Sequence, residues 1–294
     1  MTTLTRVEGI LLRGGFHTGV IRGLEGGYKS VGLARKYYGM LRRELGYSGP
    51  APLLTSGASQ QKLSKNALPS YGLMLLPERG IMADTFADVR KVFGLFGGYN
   101  LCPLASKGCA AACLSRSGQS GMKPAQRAQA VRTAYLLSDP YYAGLLIGDE
   151  IRRALKRHGR INLRLNTTSD IRWELFPGLV EALRNAGVVL YDYTAWSPDE
   201  RKVPDGYTLT YSAKESSHTS DEYLTGILSG GGNISMPFAV NRGESLPKSW
   251  NGFPVIDGDQ HDERWRDPAG VVVGLRAKGH EWKKDNSAGF IRQP

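Results

Sequence analysis

Cysteine is scarce in this chain, acids are outnumbered by bases, and long apolar runs are missing. Three cysteines among 294 residues are an odd number, which argues against a disulfide framework and fits reduced thiols. No apolar run reaches the roughly 18 residues of a membrane span, so no membrane attachment is expected. The opening Met1-Thr-Thr-Leu-Thr-Arg-Val-Glu8 lacks the basic-then-apolar order of a secretory signal, and a cytoplasmic protein is expected. No internal repeat of the solenoid kind is present. A hydrophobic content of 41% supports a real core and excludes wholesale disorder.

The deficit of acids is uneven. The net charge is +11, and residues 1–70 carry ten Lys or Arg against Glu8, Glu25 and Glu44, which leaves +7 there. A basic N-terminal extension suggests an anionic partner, nucleic acid first. The plainer alternative is a solvated face. Within this extension Ser30 is placed to cap a helix from Val31 to about Leu45, with Val31, Ala34, Tyr38, Leu41 and Leu45 on one face. Arg35, Lys36, Arg42 and Arg43, interleaved with Tyr37, form the other and could lie on a phosphate backbone. Residues 1–28 match no clear pattern, and 55–70 read as a surface loop or linker.

The scarce cysteines are concentrated. Cys102, Cys109 and Cys113 fall within twelve consecutive residues, with gaps of six and three. Converging thiolates suit zinc or an iron–sulfur cluster. Gly108 is expected to let the backbone bend, and Ala110 to Ala112 to keep the space open. Structural zinc wants four protein ligands, and only the Cys109/Cys113 pair has its spacing. His218, His261 or His280 would have to complete it from afar. A [4Fe–4S] cluster on three thiolates instead leaves one iron open to a ligand.

Strands alternate with helices along the chain. Tyr71 to Pro77 reads as a buried strand, and Gly97-Gly98 as a turn before the cysteines. Helices are expected from Pro124 to about Leu137, carrying Arg127 and Arg132, and from about Tyr142 to His158, stopped by Gly159. Strands follow at Ile161–Asn166, Val188–Tyr191, Tyr207–Tyr211, Ile234–Val240, Val255–Ile256 and Val271–Leu275, with helices at Leu175–Asn185 and near Asp221–Leu228. The pattern predicts a single α/β domain over 71–294 with six or seven mostly parallel strands, an open (β/α) barrel of TIM-barrel-like type. In such a barrel the chemistry gathers where strands end. Those ends offer the cysteines, Asp170, Asp192, Lys214, Asp257, Asp259 and Lys278. The last two carboxylates crowd one turn with Asp262, a pattern that loop hydrogen bonding explains and that a hard cation such as Mg²⁺ also suits.

The segment Cys102–Cys113 resembles the three-cysteine motif of phage-encoded radical-SAM-like proteins. Asn166-Thr-Thr-Ser-Asp170-Ile-Arg-Trp-Glu174 resembles their strand-end Asn-Ser-x-Ser-Asp…Glu segment. From about Tyr71 to Arg292 the chain is similar to a family of uncharacterised phage proteins, which also share Val255–Asp259 and Gly274–Gly279. The resemblance implies that Cys102, Cys109 and Cys113 hold a [4Fe–4S] cluster with S-adenosylmethionine at the open iron, in the host cytoplasm. Asp170 and Glu174 would position cofactor or substrate. Asn166, Ser169 and Lys278, with Arg127 and Arg132, would bind it, and Asp192 and Lys214 would line the same mouth. The spacing departs from the usual Cys-x₃-Cys-x₂-Cys, and no clear Gly-Gly-Glu element follows. Two other classes therefore stay open. One is a TIM-barrel transglycosylase of the DNA 7-deazaguanine type, with an Asp nucleophile and structural zinc. The other is a non-enzymatic DNA-binding accessory protein with a structural metal.

Overall fold

The computed structural model describes residues 3–59, 63–77, 86–92, 99–116, 118–215, 218–277, 286 and 289–294. The unpatterned N-terminal stretch forms two helices, α1 (Arg6–Arg13) and α2 (Phe16–Leu24). Thr5 and Glu8 start α1 as a reciprocal capping box. The many glycines of this stretch weaken helix propensity, and packing overrides them. Gly19 and Gly23 of α2 lie against Gly144 and Gly148 of α7 (Pro140–His158). A Cβ on Gly148 would sit 2.1 Å from the Val20 carbonyl oxygen, and one on Gly19 would sit 2.2 Å from that of Tyr141. The two backbones meet only because these positions have no side chain.

Helix α3 covers Tyr28–Glu44 and starts from Gly27. Ser30 therefore lies inside the first turn rather than capping it. Val31, Ala34, Tyr38 and Leu45 are buried as expected. Two of the four bases on its other face already have partners within the chain. Arg35 pairs with Asp149, and Arg42 donates to the Gly49 carbonyl while lying over the Tyr38 and Tyr47 rings.

The 55–70 segment is not simply a loop. It contributes β1 (Leu54–Ser56), antiparallel to β2 (Ser70–Leu73), and short 3₁₀ turns at Gly57–Ser59 and Leu63–Lys65. Leu63 is buried beneath it, which ties the segment to the core. Then come α4 (Ala87–Val92), α5 (Lys107–Ala111) and α6 (Lys123–Ser138), the last buried on every side from Ala128 to Leu137. The remaining series is β3 (Ile161–Arg164), α8 (Leu179–Asn185), β4 (Val188–Thr194), β5 (Tyr207–Ser212), α9 (Asp221–Ser229), β6 (Asn233–Phe238), β7 (Ser249–Trp250), β8 (Phe253–Asp257) and β9 (Val272–Arg276). The helix expected from Leu175 splits into a 3₁₀ turn at Trp173–Leu175 and α8, because Pro177-Gly178 interrupts it.

These strands form one mostly parallel, nine-stranded sheet in the order β1-β2-β3-β4-β5-β6-β9-β8-β7. It is a mixed α/β architecture, and the sheet is not closed. The parallel run β2 to β6 is sequential, then β9 slots in beside β6 and β8 follows. A β7–β8 hairpin with both Asn251 and Gly252 at positive φ ends that edge. The main core joins α1–α3, α6 and α7 to β2–β4, and a smaller one gathers under β5, β6 and β9. Among the described residues, no helix is long and apolar enough to cross a membrane.

Candidate functional site

A cavity of about 250 Å³ opens where the parallel strands end. Its wall comes from Arg164 at the end of β3 and Asn166 to Asp170 after it, from the ends of β4 and β5, and from β6 and β9. Cys102, Cys109 and Cys113 line it together. All three are free and half-buried. A loop carrying scattered polar groups is thus folded across the strand ends, and its thiols face inward.

The residues after β5 hold that loop. Ser106 caps α5, accepting from the Cys109 N–H at 3.2 Å while its hydroxyl donates to Glu215. The Gly108 N–H donates to Glu215 Oε1 at 3.0 Å. Burial pushes the Glu215 carboxyl up, but these hydrogen bonds outweigh it and leave it below the usual carboxylate range. Gly108 serves close approach rather than bending: it lies inside α5, and a Cβ there would sit 2.4 Å from Phe290 Cβ. The neighbouring Lys214 donates from Nζ to Cys109 Sγ at 3.2 Å. Cys102 Sγ lies 3.7 Å from the Thr168 carbonyl, and Cys113 Sγ lies 3.0 Å from the Ser115 hydroxyl. Burial pushes the Cys102 thiol well above its ordinary range, helped by the negative charge of Asp170 and by the neighbouring Cys113 and Cys109.

The Asn166–Glu174 segment is wound on itself. Asn166 Oδ1 accepts from the Ser169 hydroxyl, the Ile171 N–H and the Trp173 indole, and its amide donates to Asp192. Asp170 accepts from the Thr194 hydroxyl at 2.8 Å, the Ala195 N–H at 2.7 Å and Arg201 at 3.0 Å. Arg201, fully buried, also contacts Glu174 at 3.2 Å and donates to the Tyr207 hydroxyl, which donates on to Asp192 at 2.6 Å. One guanidinium thus serves three carboxylates. Burial pushes all three up against its pull, Asp192 to about 7. From the outside, Glu8 of α1 accepts from the Arg172 backbone and side chain at 2.7–3.0 Å. The first helix therefore braces the loop that shapes the cavity.

Seven of the expected residues line the cavity: the three cysteines, Asn166, Ser169, Asp170 and Lys214. Glu174 and Asp192 lie behind its wall, in the Arg201 network. Arg127 and Arg132 sit elsewhere. Arg127 pairs with Asp88 at 2.6 Å and reaches the Leu45 carbonyl, and Arg132 donates to the Pro52 carbonyl and the Thr55 hydroxyl. Lys278, His280 and the Gly97-Gly98 turn lie outside the described residues. His218 and His261 contact Glu215 and Arg264 and do not line the cavity. Asp257 and Asp259 pair with Arg276, and Asp262 pairs with Arg164. The sequence reading missed Arg164, Arg201, Glu215 and Arg276. Glu215 had a signal in its place beside Lys214 at a strand end, whereas Arg201 follows a polar Ser-Pro-Asp-Glu run that reads as exposed.

Among the described residues, no three His, Cys, Asp or Glu side chains converge on a point that one metal ion could occupy. Residues 53–294 match the model of the family described as Gene product 88. No curated protein and no solved structure matches the chain.

Proposed function

The chain belongs to the Gene product 88 family, and from its cysteine cavity we propose that it is a radical-SAM-like iron–sulfur enzyme acting on nucleic acid or a nucleotide. The observation that carries this reading is that all three cysteines of the chain line one cavity at the C-terminal edge of a parallel sheet. That edge is where open β/α barrels place their chemistry, and we take the sheet as such an open barrel. A single zinc ion holds thiolates at about 2.3 Å and a structural zinc site is closed. Three thiols lining a cavity of about 250 Å³ suit a larger group with room left for a ligand. Cys102, Cys109 and Cys113 would hold a [4Fe–4S] cluster, which supplies one-electron chemistry toward S-adenosylmethionine. Asn166, Ser169 and Asp170 line the same cavity, and Lys214 brings positive charge to it.

The nucleic-acid part rests on charge. The first 70 residues hold +7 of the net +11, and Lys29, Lys36 and Arg43 are exposed on α3 beside Tyr37. The geometry gives less support to the transglycosylase reading. Both Asp170 oxygens are engaged by the protein, and Asp192 does not line the cavity. The test is anaerobic incubation with S-adenosylmethionine, dithionite and a DNA duplex. Cleavage products of the cofactor should appear and vanish with Cys109→Ala. If no products form while DNA affinity still falls steeply with salt, the protein is a binding module. A flat salt response removes the nucleic acid.

A further inference from the structure

We infer that Lys214 sets the reduction potential of the group held by the cysteines, stabilising the electron it takes up. This rests on the iron–sulfur reading above. The Lys214 ammonium lies 3.2 Å from Cys109 Sγ, and the residue is 6% exposed. In so buried a place its charge is little screened. The other cations on the cavity wall are neutralised: Arg164 by Asp262 at 3.1 Å and Arg276 by Asp257 at 2.9 Å. Among the described residues, Lys214 is the wall cation that donates to a thiol, and the carboxylate that feels its charge, Asp170, is itself bound by Arg201 at 3.0 Å.

Both ends of this contact are fixed. The Lys214 N–H donates to the Thr219 hydroxyl at 2.9 Å, and its carbonyl accepts from Arg292 at 3.3 Å. The next residue, Glu215, grips Ser106 and Gly108 on the helix that carries Cys109. One dipeptide at the end of β5 therefore presents the donor and holds the acceptor in place. The hydrogen bond is also selective: among the described residues Lys214 donates to Cys109, whereas Cys102 lies against the Thr168 carbonyl and Cys113 against the Ser115 hydroxyl. Net charge and hydrogen bonds at the ligand sulfurs are the protein's means of moving an iron–sulfur potential. A cation donating to one thiolate favours the reduced, more negative form. The step is a one-electron reduction from an external low-potential donor such as dithionite, with no bond made or broken. Lys214 is thus a positioning residue.

The experiment is a redox titration of the full chain, purified without oxygen, followed by visible absorbance and electron paramagnetic resonance. Lys214→Met and Lys214→Gln are compared with Lys214→Arg and the unmodified protein, with iron measured in each. At one fixed poise, the reduced-to-oxidised ratio should fall at least tenfold in the neutral variants, about 59 mV for a one-electron couple. Lys214→Arg should recover most of it. Unchanged ratios in iron-loaded neutral variants overturn the inference and leave the cluster reading intact. Loss of iron from both neutral variants overturns it in favour of a purely structural role. An unmodified chain that holds no iron removes the underlying reading itself.

Discussion

Arg201→Met should unmask the charge imbalance behind the cavity wall. Arg201 is fully buried, 3.0 Å from Asp170 and 3.2 Å from Glu174, and it reaches Asp192 through the Tyr207 hydroxyl. Methionine keeps most of the volume and removes the charge. Breaking a buried pair while leaving its carboxylates in place costs about 3–5 kcal/mol, a large share of the ~5–15 kcal/mol that holds a domain. The cost should depend on pH with a definite sign. Asp170, Glu174 and Asp192 already sit above their ordinary values, Asp192 at about 7. The native state therefore binds more protons than the unfolded chain from the ordinary carboxylate range up to about 7, and this network loses stability as pH rises through that window. Without the guanidinium those carboxyls rise further. Each extra proton held by the native variant widens its deficit by about 1.4 kcal/mol per pH unit. Urea unfolding, followed by circular dichroism, should show a larger loss at about pH 8 than at about pH 5. An equal loss at both, or one below about 1 kcal/mol, would refute the network.

Two further variants, one with a control, probe how the N-terminal helices are packed. Gly148→Ala places a Cβ 2.1 Å from the Val20 carbonyl and should cost about 3 kcal/mol by forcing α2 off α7, whereas Gly226→Ala, with nothing within 4 Å, should gain about 0.5–1 kcal/mol. Thermal melts of the pair check this, and equal shifts would contradict the close-packing account. Glu8→Gln removes the charge facing Arg172, whose contacts brace the loop bearing Asp170. It should lower stability by about 3 kcal/mol and speed hydrogen exchange in 166–174 ahead of the far edge of the sheet. Uniform exchange across both would detach α1 from the site.

The alternation of elements was readable because buried parallel strands are near-continuous apolar runs. Val188 to Thr194 and Val272 to Arg276 lie where those runs do. The clustering of the cysteines likewise pointed to a common space. What escaped the sequence was set by distant contacts. Helix α2 forms from a glycine-rich run because α7 offers matching glycines more than a hundred residues away. Glu174 and Asp192 looked like strand-end groups facing a mouth. They turn instead toward Arg201, which no local pattern marks as buried. The hairpin at Asn251-Gly252 did carry a signal, the paired turn residues between Trp250 and Phe253, and it passed unread.

The central claim is that the three thiols hold an iron–sulfur cluster. Anaerobic purification followed by assay of iron, acid-labile sulfide and zinc tests it most directly. The account predicts about four irons and about four sulfides per chain, lost when Cys102, Cys109 or Cys113 is replaced by alanine. Stoichiometric zinc with no iron would contradict it.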